Sequence, residues 1–202
     1  PGQVLRLPDP GAADPRIVRE AVRAVQEGSV LILPTDTVYG IAAGALHREA
    51  LERIRRIKGR DPSKPIALLV GSVEEARGLL AWNDAAERLA CRFWPGALTL
   101  VGRPSPDGES RADPVLKSLA VRVPDHAFLL EVLRSCGLLA ATSVNLAGRP
   151  PASRENEVLG FRDQVDCIVL GGDLPGLESA VVDVSGPAPS ILREGALGSA
   201  LI

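Results

Sequence analysis

The 202-residue sequence predicts a single α/β domain, and three of its features do so. Short apolar runs such as SVLILP (29–34), IALLV (66–70) and LLAAT (138–142) show no polar alternation, as expected of strands in a sheet covered on both faces. Segments of helical periodicity, with their own start and stop residues, lie between these runs. Apolar residues make up 46% of the chain and the formal net charge is −2, so the chain buries a sizeable core and is not disordered.

Asp14-Pro15 reads as an N-cap followed by proline at the first helical position. Ile17, Val18, Ala21, Val22 and Val25 then form one apolar stripe, which Gly28 ends. SVLILP follows as a buried strand, and a second helix is expected over about 49–57, stopped by Gly59. After the strand IALLV, Ser72 and Glu75 make a capping box for a helix through about Leu80. Asp84 and Glu87 open another helix, which ends before Trp94-Pro95-Gly96. ALTLVG (97–102) and LAVRV (119–123) read as strands, and Asp125 as the cap of a helix to about Cys136. LLAAT is again a strand, and Ser153 caps a helix to about Phe161. DCIVLGG (166–172), SAVVDVS (179–185) and SILRE (190–194) are late strands with no helix between them, so the expected sheet is mixed and twisted, with flanking helices. No repeat or linker divides the chain, which gives one domain over 1–202 with its core at about 15–197.

Several classes are excluded. No apolar run approaches about 18 residues, so no membrane span is expected. The N-terminus lacks the basic start and apolar stretch of a signal peptide, and a cytoplasmic protein is expected. The three cysteines (Cys91, Cys136, Cys167) show no C-x-x-C spacing and read as small buried apolar residues in a reducing compartment. With His47 and His126 the only histidines, no metal site built from protein side chains is expected. P-loop, G-x-G-x-x-G and G-x-S-x-G signatures are absent. A Ser-His-Asp triad would need His47 or His126, and His126 follows Pro-Asp at a helix start.

Two apolar strands run directly into polar loops: Thr35-Asp36-Thr37-Val38-Tyr39-Gly40 and Ser143-Val144-Asn145. Their side chains either contact a small polar ligand or cap turns. Between these loops basic residues concentrate at Arg48, Arg53, Arg55, Arg56, Lys58, Arg60 and Lys64. Such a patch on a near-neutral chain suits a compact anion or is a solvated helix face. Lys58, Arg60 and Lys64, on a segment constrained by Gly59 and Pro62, offer the donors a polyphosphate needs. Arg122 and Arg193 lie inside strands and require a partner, either an internal carboxylate or a ligand phosphate.

Taken together, PTDTVYG (34–40), IKGRDPSKP (57–65), WPGALTL (94–100), VRVPDH (121–126), ATSVNLAG (141–148), SAVVDVS (179–185) and ILREGAL (191–197) resemble, in order, the YrdC-like family of threonylcarbamoyl-AMP synthases. That family's K-x-R and S-x-N signature is matched by Lys58/Arg60 and Ser143/Asn145. The resemblance implies a concave, positively charged groove and formation of threonylcarbamoyl-AMP and pyrophosphate from L-threonine, bicarbonate or carbon dioxide, and ATP. It makes the chain a nucleotidyltransferase whose product a threonylcarbamoyl-transfer enzyme complex passes to tRNA. Lys58, Arg60, Ser143 and Asn145 fall at its catalytic positions, and these with Lys64, Ser118, Arg122 and Arg193 at ATP or adenylate contacts. Thr35, Thr37, Ala141 and Ser179 fall where threonine is held. Mg²⁺ is implied through the ATP phosphates rather than through a protein cage.

The family's Asp near Leu46 or His47 is missing here, and its Ser-Thr pair reads Ser179-Ala180. The chain resembles the short, single-domain form. The alternatives are a carbamoyl-transfer domain of the hydrogenase-maturation type and an RNA-binding module using the basic groove. The charge balance and the scattered aromatics argue against RNA. The loop 103–114 reads either as a lid or as inert surface.

Overall fold

A computed structural model of the chain describes residues 1–59, 66–111, 117–145 and 148–201. In chain order the elements are β1 (Gln3–Arg6), α1 (Pro15–Gln26), β2 (Leu31–Leu33), β3 (Gly40–Gly44), α2 (Arg48–Lys58), β4 (Ala67–Leu69), α3 (Val73–Leu79), α4 (Asp84–Phe93), β5 (Leu98–Gly102), β6 (Leu119–Arg122), α5 (Ala127–Cys136), β7 (Leu139–Ser143), α6 (Glu155–Leu159), β8 (Cys167–Leu170), β9 (Ala180–Asp183) and β10 (Ser190–Arg193). The strands form one sheet in the order β1-β8-β2-β3-β7-β4-β6-β5-β9-β10. It is mixed, as the sequence predicts: β1/β8, β8/β2, β4/β6 and β5/β9 pair parallel, and the remaining neighbours antiparallel.

The two halves of the sheet are covered differently, and this places the site. In the β8-β2-β3-β7 half, Leu31, Leu33, Ala42, Leu139 and Val169 pack beneath α1 and α5. The intervening Ile32, Ile41, Ala43 and Ile168 pack on the opposite face against Ala50 and Ile54 of α2 and Val158 of α6. Every residue of β2 is therefore buried, which is why SVLILP shows no alternation. In the β6-β5-β9 half, Leu98, Leu100, Leu119, Val121, Ala180 and Val182 pack on α3 and α4. Each such side chain contributes about 1.5–3 kcal/mol when fully buried. Among the described residues no helix lies over the other face of this half, so its alternate residues are left to form the floor of a cleft.

The helix starts are local solutions with small shifts from expectation. Asp14 Oδ1 accepts from Arg16 N (2.8 Å) and Ile17 N (3.3 Å), as a cap should. Ser72 Oγ accepts from Glu75 N, but the Glu75 carboxylate takes Gly71 N, so the box is displaced by one residue. α4 opens at Asp84 as expected, and Asn83 caps it, its Oδ1 accepting from Ala86 N at 2.9 Å. His126 rather than Asp125 holds the N-cap position of α5, and its side chain makes no capping bond. At α6 the N-cap position belongs to Arg154, and Glu157 Oε2 accepts from the backbone N–H groups of Ser153 and Arg154, so Ser153 donates where it was expected to cap.

Two strands are additions. β1 pairs parallel with β8, so the sheet begins well before residue 15, where the sequence places the start of the core. β3, GIAAG, lies between β2 and β7. Its small residues carry no strand signal, yet small residues are what allow helices to approach both of its faces. Of the cysteines only Cys167 is buried; Cys136 is half-buried and Cys91 exposed. Burial pushes the Cys167 thiol up to about 11. Part of the basic run proves structural, since Arg53 donates to Asp166 Oδ2 (2.6 Å) and to Gln164 O (2.7 Å).

Candidate functional site

Over the open half-sheet lies a cavity of about 910 Å³. Strand pleating decides its floor, because every second residue faces it. These are Thr99 and Val101 of β5 with Arg103 just after it; Ala120 and Arg122 of β6 with Ser118 just before it; and Val181 and Asp183 of β9 with Ser179 and Ser185 flanking it. Ala67 and Leu69 of β4, Ala141 and Ser143 of β7, and Thr35 and Thr37 after β2 complete much of the wall. Arg103, Lys117, Arg122 and Arg193 line it, together with the carboxylates Glu178 and Asp183.

Arg122, 7% exposed, is the most constrained of these cations. Nη2 donates to Asp36 Oδ1 at 2.5 Å, Nη1 to Thr37 Oγ1 at 3.1 Å and Nε to Gly96 O at 3.0 Å. Asp36 is thus an internal carboxylate partner of the kind the sequence calls for. Burial draws the guanidinium below its ordinary range, with the Asp36 charge pulling the other way and the Arg193 charge adding to the depression. Thr35 organises the loop that carries Asp36 and Thr37: its Oγ1 accepts from Thr37 N and Val38 N and donates to Val38 O. Arg193 donates from Nε and Nη2 to Ser179 O and pairs with Glu178 at 3.2 Å. Ser179 Oγ in turn shares a 2.8 Å hydrogen bond with Thr99 Oγ1.

A second cluster adjoins the cavity at Ser143. Gly59 ends α2 in the left-handed region (φ 55°), which glycine adopts without steric cost, and Lys58 occupies the last helical position. The Lys58 side chain is buried, and Nζ donates to Ser143 O at 2.5 Å and Asn145 Oδ1 at 2.6 Å. Ser143 Oγ donates to the same Asn145 oxygen at 3.0 Å, while Asn145 Nδ2 donates to Arg149 O. Residues 85 and 87 positions apart in the chain thus meet around one ammonium group.

The structure places Thr35, Thr37, Ser118, Arg122, Ala141, Ser143, Ser179 and Arg193 on the cavity wall, and joins Lys58 and Asn145 to it through Ser143. Arg60 and Lys64 lie outside the described residues, as does the 112–114 part of the loop expected to be a lid or inert surface. The described part of that loop is fastened to the end of α3 by Ser105, whose N donates to Leu79 O and whose Oγ donates to Gly78 O. Sequence reasoning missed Thr99, Arg103, Lys117, Glu178 and Asp183. The signal for Thr99, Arg103 and Asp183 was the period of two within ALTLVGR and SAVVDVS, whose apolar partners fill the opposite face.

His126, at the start of α5, is also buried, and its Nδ1 is the one buried side-chain polar atom among the described residues without a hydrogen-bond partner. Burial lowers its affinity for a proton, against the opposing charges of Asp36 and Asp125. A histidine whose folded pKa is lowered keeps its full contribution above the unfolded value. Stability should therefore fall as pH drops below about 6.5, until the folded group itself titrates. Denaturant titrations between pH 7 and 5 should show this slope in the wild type and a shallower one in His126→Phe; equal slopes would remove His126 from the acid response.

The fold and cleft define an α/β protein with a cavity on the open face of a mixed sheet, lined by hydroxyls, cations and carboxylates. Residues 23–195 match the Sua5/YciO/YrdC family model, described as "Telomere recombination", and the chain belongs to that family. The threonylcarbamoyl-AMP synthase of Pyrococcus abyssi is 37% identical over 184 residues, covering 89% of this chain and 54% of that protein. The enzyme of the same name from Bacillus subtilis is 35% identical over 189 residues, covering 91% and 54%. The crystal structure of Pyrococcus abyssi Sua5 complexed with L-threonine superposes with a TM-score of 0.84 at 33% identity, covering 96% of this chain and 57% of that one. The chain thus spans about half the length of these relatives.

Proposed function

We propose that the chain is an L-threonylcarbamoyladenylate synthase. The observation that carries the reading is the Lys58–Ser143–Asn145 cluster, set beside a cleft that also presents Thr37, Ser179, Arg122 and Arg193. Hydroxyls on short, strand-anchored loops suit threonine, and fixed cations suit phosphates. The names of the relatives support the same assignment.

The chemistry asks the protein for positioning and charge, with no covalent intermediate on it. The threonine amine adds to carbon dioxide derived from bicarbonate and loses a proton, giving a carbamate. A carbamate oxygen attacks the α-phosphorus of ATP, and pyrophosphate departs. Lys58 and Ser143, with Arg60 and Lys64 if these complete the wall, would hold phosphate oxygens, while Thr35, Thr37, Ala141 and Ser179 would hold threonine. Among the described residues no three His, Cys, Asp or Glu side chains are grouped as metal ligands, and Mg²⁺ fits this site as the companion of ATP phosphates. No described helix is long and apolar enough to cross a membrane. In this reading the enzyme is cytoplasmic and hands its product to a tRNA-modifying transfer complex.

Pyrophosphate release from ATP and bicarbonate, measured with and without L-threonine and with serine and glycine as controls, tests the reading. Threonine-dependent release is expected. A folded chain that neither releases pyrophosphate nor binds ATP would sink it and favour the RNA-binding alternative. Within the same assay Thr37→Val should raise the KM for threonine about tenfold or more while shifting that for ATP little, because a hydroxyl lost from a polar subsite leaves its partners unpaired.

A further inference from the structure

Thr99 is a buried polar side chain that has no task in this reading. It stands in β5 between Leu98 and Leu100, both buried beneath α3 and α4, so its own side chain turns to the cleft floor. It is only 5% exposed, and among the described residues its side chain makes one hydrogen bond, the 2.8 Å contact with Ser179 Oγ. β5 runs parallel to β9 with Thr99 opposite Val181, and the hydroxyl reaches back to Ser179, the residue before Val181 on the same face. The next residue of β9 supplies no such neighbour, because Ala180 is buried on the helix-covered face.

The backbone of Ser179 is held on its own account. Its carbonyl accepts from Arg193 Nε at 3.2 Å and Nη2 at 2.9 Å. On either side, Ala180 N donates to Ala97 O at 3.0 Å, and Glu178 O accepts from Ala196 N at 2.8 Å. Gly195 lies so close that a Cβ there would collide with the backbone of residues 178–180. What remains is the direction of the hydroxyl. A serine hydroxyl has one hydrogen and two lone pairs, and it rotates to suit its partners. Arg193 Nη2 donates to Oγ at 3.3 Å and occupies one lone pair. Thr99 occupies a second position, whichever of the two oxygens donates. One position is left for a ligand in the cavity that Ser179 lines.

We infer that Thr99 is a positioning residue for the amino-acid substrate and acts through Ser179. The inference rests on the synthase reading, in which Ser179 holds threonine. With Thr99 in place, the Ser179 hydroxyl meets threonine in a preset direction. Without it the group turns among alternatives, and part of its contribution to binding is lost in ordering it.

Steady-state pyrophosphate release and calorimetric titration with L-threonine test this on wild type, Thr99→Val, Thr99→Ser, Ser179→Ala and the Thr99→Val, Ser179→Ala double variant. Valine keeps the branched shape that a strand favours and deletes only the hydroxyl, so the fold should survive. Thr99→Val should raise the KM for threonine roughly three- to tenfold and leave kcat and the KM for ATP near wild type. Thr99→Ser, which restores the hydroxyl, should return most of the affinity. In the Ser179→Ala background Thr99→Val should cost less than about twofold, because its partner is already gone. Wild-type threonine affinity in Thr99→Val overturns the inference. So does an equal loss in both backgrounds, which would have Thr99 touch threonine by itself, and so does a loss that Thr99→Ser fails to restore. A wild type that binds threonine with this pattern, yet releases no pyrophosphate, would keep the positioning role and overturn the synthase reading. One that shows no threonine dependence in either measurement overturns both.

Discussion

Arg122→Ala should abolish threonine-dependent pyrophosphate release and destabilise the fold by about 3–5 kcal/mol, the cost of breaking a buried ion pair from one side. The guanidinium satisfies a carboxylate, a hydroxyl and a backbone carbonyl at once: Asp36, Thr37 and Gly96. Its removal leaves Asp36, whose side chain is 14% exposed, without its ion-pair partner, and unties the loop that presents Thr37. The two losses can be separated. Arg122→Leu combined with Asp36→Asn removes both charges and should recover part of the stability without recovering activity. Urea titration reads the first effect and the pyrophosphate assay the second. A single Arg122→Ala variant as stable as wild type would show that Asp36 is not held by this pair.

The same residue shows how far the sequence could be read. An arginine inside the apolar run LAVRV announces a partner, but the choice between a carboxylate and a ligand phosphate depends on a contact between residues 86 positions apart. Buried strands such as SVLILP were legible because both faces of their half of the sheet are covered, which removes alternation. In the other half, ALTLVG and SAVVDVS look equally apolar, yet only one set of alternate residues meets helices. The cleft was therefore hidden by a composition of Thr, Val, Ala and Ser that suits a strand whichever way it faces. β3 escaped notice for a different reason, since glycine and alanine have low strand propensity and only the flanking strands and helices fix them. The Lys58, Ser143 and Asn145 grouping was reached through the family signature, and spacing alone could not have joined the end of α2 to the end of β7.

Lys58→Met should lower turnover by roughly 10²–10³-fold while costing only about 1 kcal/mol of stability. Methionine keeps most of the buried stem and deletes the ammonium, so packing survives and the donors do not. Asn145 Oδ1 still accepts from Ser143 Oγ, which limits the structural damage. The large kinetic loss is expected because a positive charge fixed between Ser143 O and Asn145 Oδ1 needs no reorganisation when charge develops on departing phosphates. Lys58→Arg should not rescue turnover, since a planar fork cannot take the place of a compact ammonium that meets two oxygens at 2.5 and 2.6 Å. Single-turnover pyrophosphate release alongside urea titration distinguishes the roles. A variant that turns over normally but unfolds more easily would make Lys58 a tie between helix and strand, and would move the phosphate site away from this cluster.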